Sequence, residues 1–278
     1  ILFFHKQLSK LYPPPALILK NNITHENKHH HTSTPQSTKA NNMIPETTTT
    51  TSWIPIPPDS PFPLQNLPYG IASTPNTPTP RPFTILGDTG IDLSALSHLF
   101  KTIPSFPPRA FHERTLNTFM SCDKTTRVAV RRRLTSLLTT LPSSSSPLAN
   151  DAALQKRAFH PSHTLTLHLP ATIGDYTDFY SSKEHATNVG IMFRGRDNAL
   201  QPNYLHLPVG YHGRASSVVI SDVDVRRPVG QVQRDPSDPR KGPELRPTRK
   251  LDFELEMGVF VGGPATAVGG RRLTVSRA

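Results

Sequence analysis

The 278-residue sequence has a single cysteine, Cys122. One thiol excludes an intrachain disulfide and any multi-cysteine zinc site, and it suits a reducing, cytoplasmic setting. Cys122 reads as a partly buried thiol or, less simply, as a nucleophile. No apolar run approaches the ~18–20 residues that a membrane-spanning helix requires. The P-loop, the dinucleotide fingerprint and the G-x-S-x-G elbow are all missing, as is any internal repeat. Negative charge is scarce: 20 Asp+Glu stand against 31 Lys+Arg, for a net charge of +11. Such a balance admits a basic nucleic-acid-binding or scaffold protein. However, Arg131-Arg132-Arg133 is the only tight basic run, and no RNA-binding aromatic motif accompanies it. An anionic small-molecule substrate also suits local positive charge.

Proline, by contrast, is plentiful, with 30 residues concentrated before about position 110. This implies a poorly ordered head and a foldable remainder. Residues 1–50 read as a disordered or upstream extension, with Met43 the first plausible start. His29, His30 and His31 lie in a polar, low-complexity tract that is either solvated or a loose metal binder. Beyond it, proline-punctuated chain carries Phe62, Leu64 and Leu67 as surface anchors. "RPFTILGDTGIDLSAL" reads as a hairpin turning at Gly87-Asp88-Thr89-Gly90. "HERTLNTFM" is a short helix. In "KTTRVAVRRRLTSLLTTL", Val130, Leu134, Leu137, Leu138 and Leu141 form one apolar helical face, with Arg131–Arg133 mainly on the solvated side. "DAALQKRAF" adds a helical segment. Leu165, Leu167 and Leu169 then alternate with polar residues along a strand that Pro170 stops.

The chemistry-bearing residues come later in the chain. "LDFELEMGVFVGG" reads as a strand with Asp252, Glu254 and Glu256 on one face and Leu251, Phe253, Leu255, Met257 and Val259 on the other. Alternate carboxylates have Cα atoms ~6.5–7 Å apart and repel one another. Either solvent covers that face, or a cation with a taste for oxygen ligands, Mg²⁺ or Ca²⁺, binds it. A glycosidase carboxylate pair is the other enzyme reading, but such pairs work from opposite sides of a sugar. "IGDYTDFYSSKEHATNVG" gathers Asp175, Tyr176, Asp178, Tyr180 and His185. His185 is either a structural residue or a general base. Arg194 follows an apolar triplet, so an enclosed guanidinium seeking an anion is expected. Gly210-Tyr211-His212-Gly213-Arg214 is either an ordinary turn or a ligand loop.

Three blocks carry a resemblance: "LPATIGDYTDFYSSKEHATNVGIMFRG", "NYLHLPVGYHGRASSVVISDVDVRRPVGQ" and "LDFELEMGVFVGG". Together with "DSPFPLQNLPYGIAS", they resemble the fumarylacetoacetase family, over about Trp53 to Ala278. The resemblance implies a mainly β fold with some α: an N-terminal SH3-like β-barrel domain (51–165), then an incomplete mixed β-roll catalytic domain (166–278), in a homodimer. It implies hydrolysis of a carbon–carbon bond of 4-fumarylacetoacetate to fumarate and acetoacetate, the last step of tyrosine and phenylalanine degradation. By resemblance, Asp178, Glu254 and Glu256 bind the divalent cation (Ca²⁺ or Mg²⁺), and His185 activates water. Tyr180, Arg194 and Tyr211 contact the substrate, whereas Asp252 is not a family ligand. The family draws further ligands and catalytic residues from beyond the strand at 251–263. The sequence is therefore expected to be a truncated form, inactive by itself. Neither nucleic acid nor membrane is an expected partner.

Overall fold

The computed structural model describes residues 51–140, 146–249, 251 and 255–263. The expected extension at 1–50, its histidine tract and Leu141 lie outside the described residues.

The hairpin expected around Gly87 forms and is one part of a five-stranded antiparallel sheet. Strand β2 (Thr77–Leu86) turns through Gly87 and Asp88 into β3 (Thr89–Asp92), with Leu86 opposite Thr89. Gly87 has φ 57°, the positive angle that a tight two-residue hairpin needs at its first central position. Before them runs β1 (Tyr69–Thr74), paired with β2 and bulged between Ala72 and Thr74. Two three-residue strands, β4 (Phe159–Pro161) and β5 (Thr166–His168), form the edges, giving the order β4-β3-β2-β1-β5.

Helices α1 (Asn117–Ser121), α2 (Lys124–Leu138) and α3 (Ala152–Ala158) stand between β3 and β4 in sequence. Helix α2 starts where the Asp123 carboxylate accepts a hydrogen bond from the Thr126 amide at 2.6 Å. This is the N-cap arrangement that satisfies an orphan donor of the first turn. Asp151 does the same for α3 through the Leu154 amide at 2.8 Å. Val130, Leu134, Leu137 and Leu138 are buried as the periodicity requires. They join Leu67, Ile71, Leu86, Ile91, Leu93 and Leu96 in one core. Each such aliphatic side chain contributes roughly 1.5–3 kcal/mol by leaving water. Phe100, Phe106, Phe111 and Phe119 form an aromatic layer within that core, Phe100 meeting Phe111 edge-on at 5.1 Å.

The proline-rich stretch ahead of β1 is anchored as expected. Leu64 and Leu67 are buried, and the Gly87 amide donates to the Phe62 carbonyl at 2.8 Å. The Trp53 indole donates to the Leu137 carbonyl at 2.8 Å, fastening the same stretch to the end of α2. A buried ion pair lies within the sheet: Arg81 Nε donates to Asp92 Oδ2 at 2.6 Å. Asp92 Oδ1 accepts from the Ser94 amide and hydroxyl, and the Arg81 guanidinium lies 5.0 Å from the centre of the Phe83 ring.

Three expectations need correction. Of the arginine triplet only Arg132 is exposed. Arg131 donates to the Leu67 and Gln65 carbonyls, and Arg133 to that of Leu99, because the loops packed on α2 leave carbonyls that long guanidinium arms can satisfy. Around β5 the alternation does not separate a buried face from an exposed one: Thr166, Leu167 and Leu169 are exposed, whereas Leu165 is half-buried, as is His168, which is bonded to the Ser73 hydroxyl at 2.9 Å. Pairing with β1 sets this register, and a strand's register decides which alternate residues face inward. Finally, Leu251 and residues 255–263 are not in a strand. An extended segment becomes a strand only when its backbone finds a ladder partner, and no described residue pairs with this one. Leu255 is consequently 95% exposed.

After Pro170 the chain forms two small ladders, β6 (Thr177–Phe179) with β7 (Gly210–His212) and β8 (Val229–Gln233) with β9 (Pro243–Pro247). Helix α4 (Lys183–Arg194) lies between β6 and β7 in sequence. Backbone bonds tie this part to α1: Leu116 N donates to Pro170 O at 2.7 Å and Gly263 N to Met120 O at 2.9 Å. No helix among the described residues is long and apolar enough to cross a membrane.

Candidate functional site

The β6–β7 ladder brings together most of the residues singled out from the sequence. Asp178 lies directly opposite Tyr211, and side chains directly opposite share one face of a ladder. The Tyr211 hydroxyl donates to Asp178 Oδ2 at 2.8 Å. That bond, and the negative charge behind it, hold the Tyr211 phenol above its ordinary range, with Glu256 adding to the effect. The carboxylates of Asp178 and Glu256 are therefore both felt at one phenol, although 78 positions separate them in sequence. Tyr180 follows two residues after Asp178, just past the end of β6.

His185 follows through a capped helix start. The Ser182 hydroxyl accepts from the His185 amide at 3.2 Å, fixing His185 in the first turn of α4. The turn brings the imidazole back against Tyr180, ring centres 5.5 Å apart and edge to face at 87°. Tyr180 also meets Tyr204 at 6.1 Å and 83°. The candidate site thus consists of two contacts, Asp178 with Tyr211 and Tyr180 with His185, that follow one another along β6 and the start of α4.

Arg194 is apart from it. It ends α4, nine residues after His185 and so about 13 Å along the axis. Its side chain is exposed rather than enclosed, and it donates to the Asn198 and Ala199 carbonyls at 3.1 and 2.7 Å. The negative end of a helix and the turn that follows it present carbonyls in easy reach of a terminal arginine, so no anionic partner is needed there. Glu254 and Asp252 lie outside the described residues. Among the described residues no three His, Cys, Asp or Glu side chains cluster closely enough to hold a metal ion.

Two features of the site were not legible in the sequence. Asp175 Oδ2 lies 3.4 Å from His212 Nε2 on the flank of the ladder. Tyr204 donates its hydroxyl hydrogen to the Tyr180 carbonyl at 3.0 Å. Beside it, Phe179, Tyr180 and Ser181 line an open cavity of about 270 Å³ with the 204–209 segment. Cys122 is half-buried; burial is the main reason its thiol is pushed up, which suits a packing residue more than a nucleophile.

Comparison with known proteins bears on about three quarters of the chain. A family profile described as "Fumarylacetoacetase N-terminal" matches residues 65–170. The chain is 52% identical over 212 residues to the fumarylacetoacetase of Rattus norvegicus, which is 76% of this chain and 49% of that protein. It is 53% identical over 213 residues to the fumarylacetoacetase of Mus musculus, covering 76% and 49%. Against that of Dictyostelium discoideum it is 46% identical over 219 residues, covering 78% and 50%. The chain spans about half the length of these curated relatives. About half of the residues are shared with these proteins along three quarters of the chain, and the profile match falls within the same stretch, so the chain is similar to the N-terminal half of the fumarylacetoacetases.

Proposed function

We propose that this chain supplies the cation-holding and water-activating residues of a fumarylacetoacetase. The protein hydrolyses a carbon–carbon bond of 4-fumarylacetoacetate, giving fumarate and acetoacetate. The observation that carries this reading is Asp178 bonded to Tyr211 across β6 and β7, with Tyr180 against His185 where the chain passes from β6 into α4. In the same reading, residues 51–165 are an SH3-like domain and 166–278 belong to a mixed β-roll catalytic domain. The protein acts as a cytoplasmic homodimer in tyrosine and phenylalanine degradation.

Asp178, Glu254 and Glu256 hold a divalent cation. An all-oxygen donor set suits Mg²⁺ or Ca²⁺. When bound, the ion supplies Lewis-acid polarisation of the diketone oxygens. His185 takes a proton from a water molecule, whose oxygen bonds to the substrate ketone carbon. The bond from that carbon to the acetoacetate portion breaks. Its electron pair leaves on the acetoacetate carbon, which takes up a proton. Tyr211 orients Asp178 and, with Tyr180, contacts substrate. Arg194 exchanges its local carbonyls for a substrate carboxylate, a stronger, charge-assisted partner.

The test joins this chain to the part of the rat relative that it does not match and follows loss of the diketone's ultraviolet absorbance. His185→Gln and Asp178→Ala should each reduce turnover at least a hundredfold. Equal turnover by the His185→Gln protein would overturn the assignment of His185 as base.

A further inference from the structure

Tyr204 lies in a stretch of successive turns between α4 and β7. The backbone there bonds mainly to itself, Tyr204 N to Gln201 O at 3.0 Å and His206 N to Asn203 O at 2.9 Å. Across 201–210 every residue is exposed except Tyr204, which is half-buried. Its side chain reaches out of the turns to the residue just past β6. There, both backbone polar groups of Tyr180 are held by the same stretch: the Tyr180 amide donates to Val209 O at 2.9 Å, and the Tyr180 carbonyl accepts from the Tyr204 hydroxyl at 3.0 Å. The Tyr204 ring also meets the Tyr180 ring at 83°, and Tyr180 meets His185 at 87°.

These contacts form a chain of control. Ser182 fixes the amide of His185, but the direction of the imidazole depends on the Tyr180 ring it rests against. The Tyr180 ring in turn depends on a backbone pinned on one side by an ordinary ladder bond and on the other by one phenol. Without that phenol the Tyr180 carbonyl is free to rotate toward water, and the joint from β6 into α4 loosens. We infer that Tyr204 is a positioning residue for the Tyr180–His185 pair. It acts through the Tyr180 carbonyl and the Tyr180 ring, and it neither binds a cation nor transfers a proton. This inference rests on the reading of His185 as the base.

The test is Tyr204→Phe, which keeps the ring and removes only the hydroxyl. In the 278-residue chain, the His185 imidazole proton resonance is identified by its absence in His185→Gln. Its dependence on the neighbouring ring is calibrated with Tyr180→Leu. Tyr204→Phe should move that resonance part of the way toward its Tyr180→Leu position, while the Trp53 fluorescence melt stays unchanged. In the chimeric enzyme, the same substitution should lower kcat about fivefold, as fits one hydrogen bond, with KM unchanged within twofold. An unmoved His185 resonance overturns the inference, and so does a loss carried by KM alone. Should the unsubstituted chimera fail to cleave substrate, the proposed function falls, and the resonance measurement still decides the role of Tyr204.

Discussion

Replacing Asp92 by Asn should destabilise the sheet more than any other conservative substitution in it. The Arg81 and Asp92 side chains are only 11% and 5% exposed and meet at 2.6 Å. Asparagine is nearly isosteric with aspartate, and its oxygen can still accept from the Ser94 amide and hydroxyl, so those bonds survive. What is lost is the charge opposite Arg81, and an amide nitrogen then faces the guanidinium donor. Leaving one member of a buried pair uncompensated costs about 3–5 kcal/mol. Arg81 Nη1 keeps its bonds to the Thr77 and Thr79 carbonyls, which places the loss at the low end of that range. A net loss near 3 kcal/mol in a unit of about a hundred residues lowers Tm by roughly 12–20 °C. Trp53 is the only tryptophan, and its indole is bonded to the end of α2, so its fluorescence reports melting of this unit. The double substitution Arg81→Met, Asp92→Leu should recover most of the loss, since an apolar pair leaves no orphan charge. A shift below about 4 °C for Asp92→Asn would show that Arg81 finds other solvation and that the pair is not the sheet's electrostatic anchor.

Burial pushes the Tyr69 phenol up to about 12, partly offset by the Arg131 guanidinium. The folded state therefore holds this proton where the unfolded state releases it, so stability is intact below pH 10 and falls as pH rises toward 12. Tyr69→Phe should flatten that alkaline decline in urea unfolding and delete the last phenol to ionise in an ultraviolet titration. A Cβ at Gly213 would fall 2.1 Å from the exposed Tyr176 ring, so Gly213→Ala should turn that ring aside and loosen the Gly213–Tyr176 backbone bond beside the β6–β7 ladder, and Tyr176→Ala in the same chain should relieve it. Amide exchange at Gly213 reads both outcomes. Calorimetric titration with Ca²⁺ or Mg²⁺ should show binding that Asp178→Ala weakens at least tenfold and that an Asp175→Ala control leaves intact.

Helix α2 was legible because its apolar residues keep a 3.6-residue period, and packing then used the face the pattern offered. The Gly87 hairpin was legible for a similar reason, a turn residue standing between two apolar alternations. Strand β1 was not read: "LPYGIAST" contains Pro68 and Gly70 and carries no clean alternation, and it becomes a strand only because β2 and β5 flank it. The opposite error befell Leu251 and residues 255–263, which belong to a strongly alternating stretch but have no ladder partner among the described residues. At the site, residue types and their order identified Asp178, Tyr180, His185 and Tyr211 through a family likeness. Their mutual geometry depends on Tyr204 and on the β6–β7 register, which no local pattern encodes. Arg131 and Arg133 show the same limit from another side, since helical spacing locates a side chain's base and not the distant carbonyl its tip will reach.

The pairing of β1 with β5 sets a schedule for making the protein. Ser73 meets His168 across 95 residues of chain, so the sheet's last strand cannot dock until that much more polypeptide has been synthesised. At about 5–20 residues per second, this leaves one side of β1 open for roughly 5–20 s on a translating ribosome. During that interval the backbone groups that β5 will later occupy are open to chaperones or to a neighbouring nascent chain.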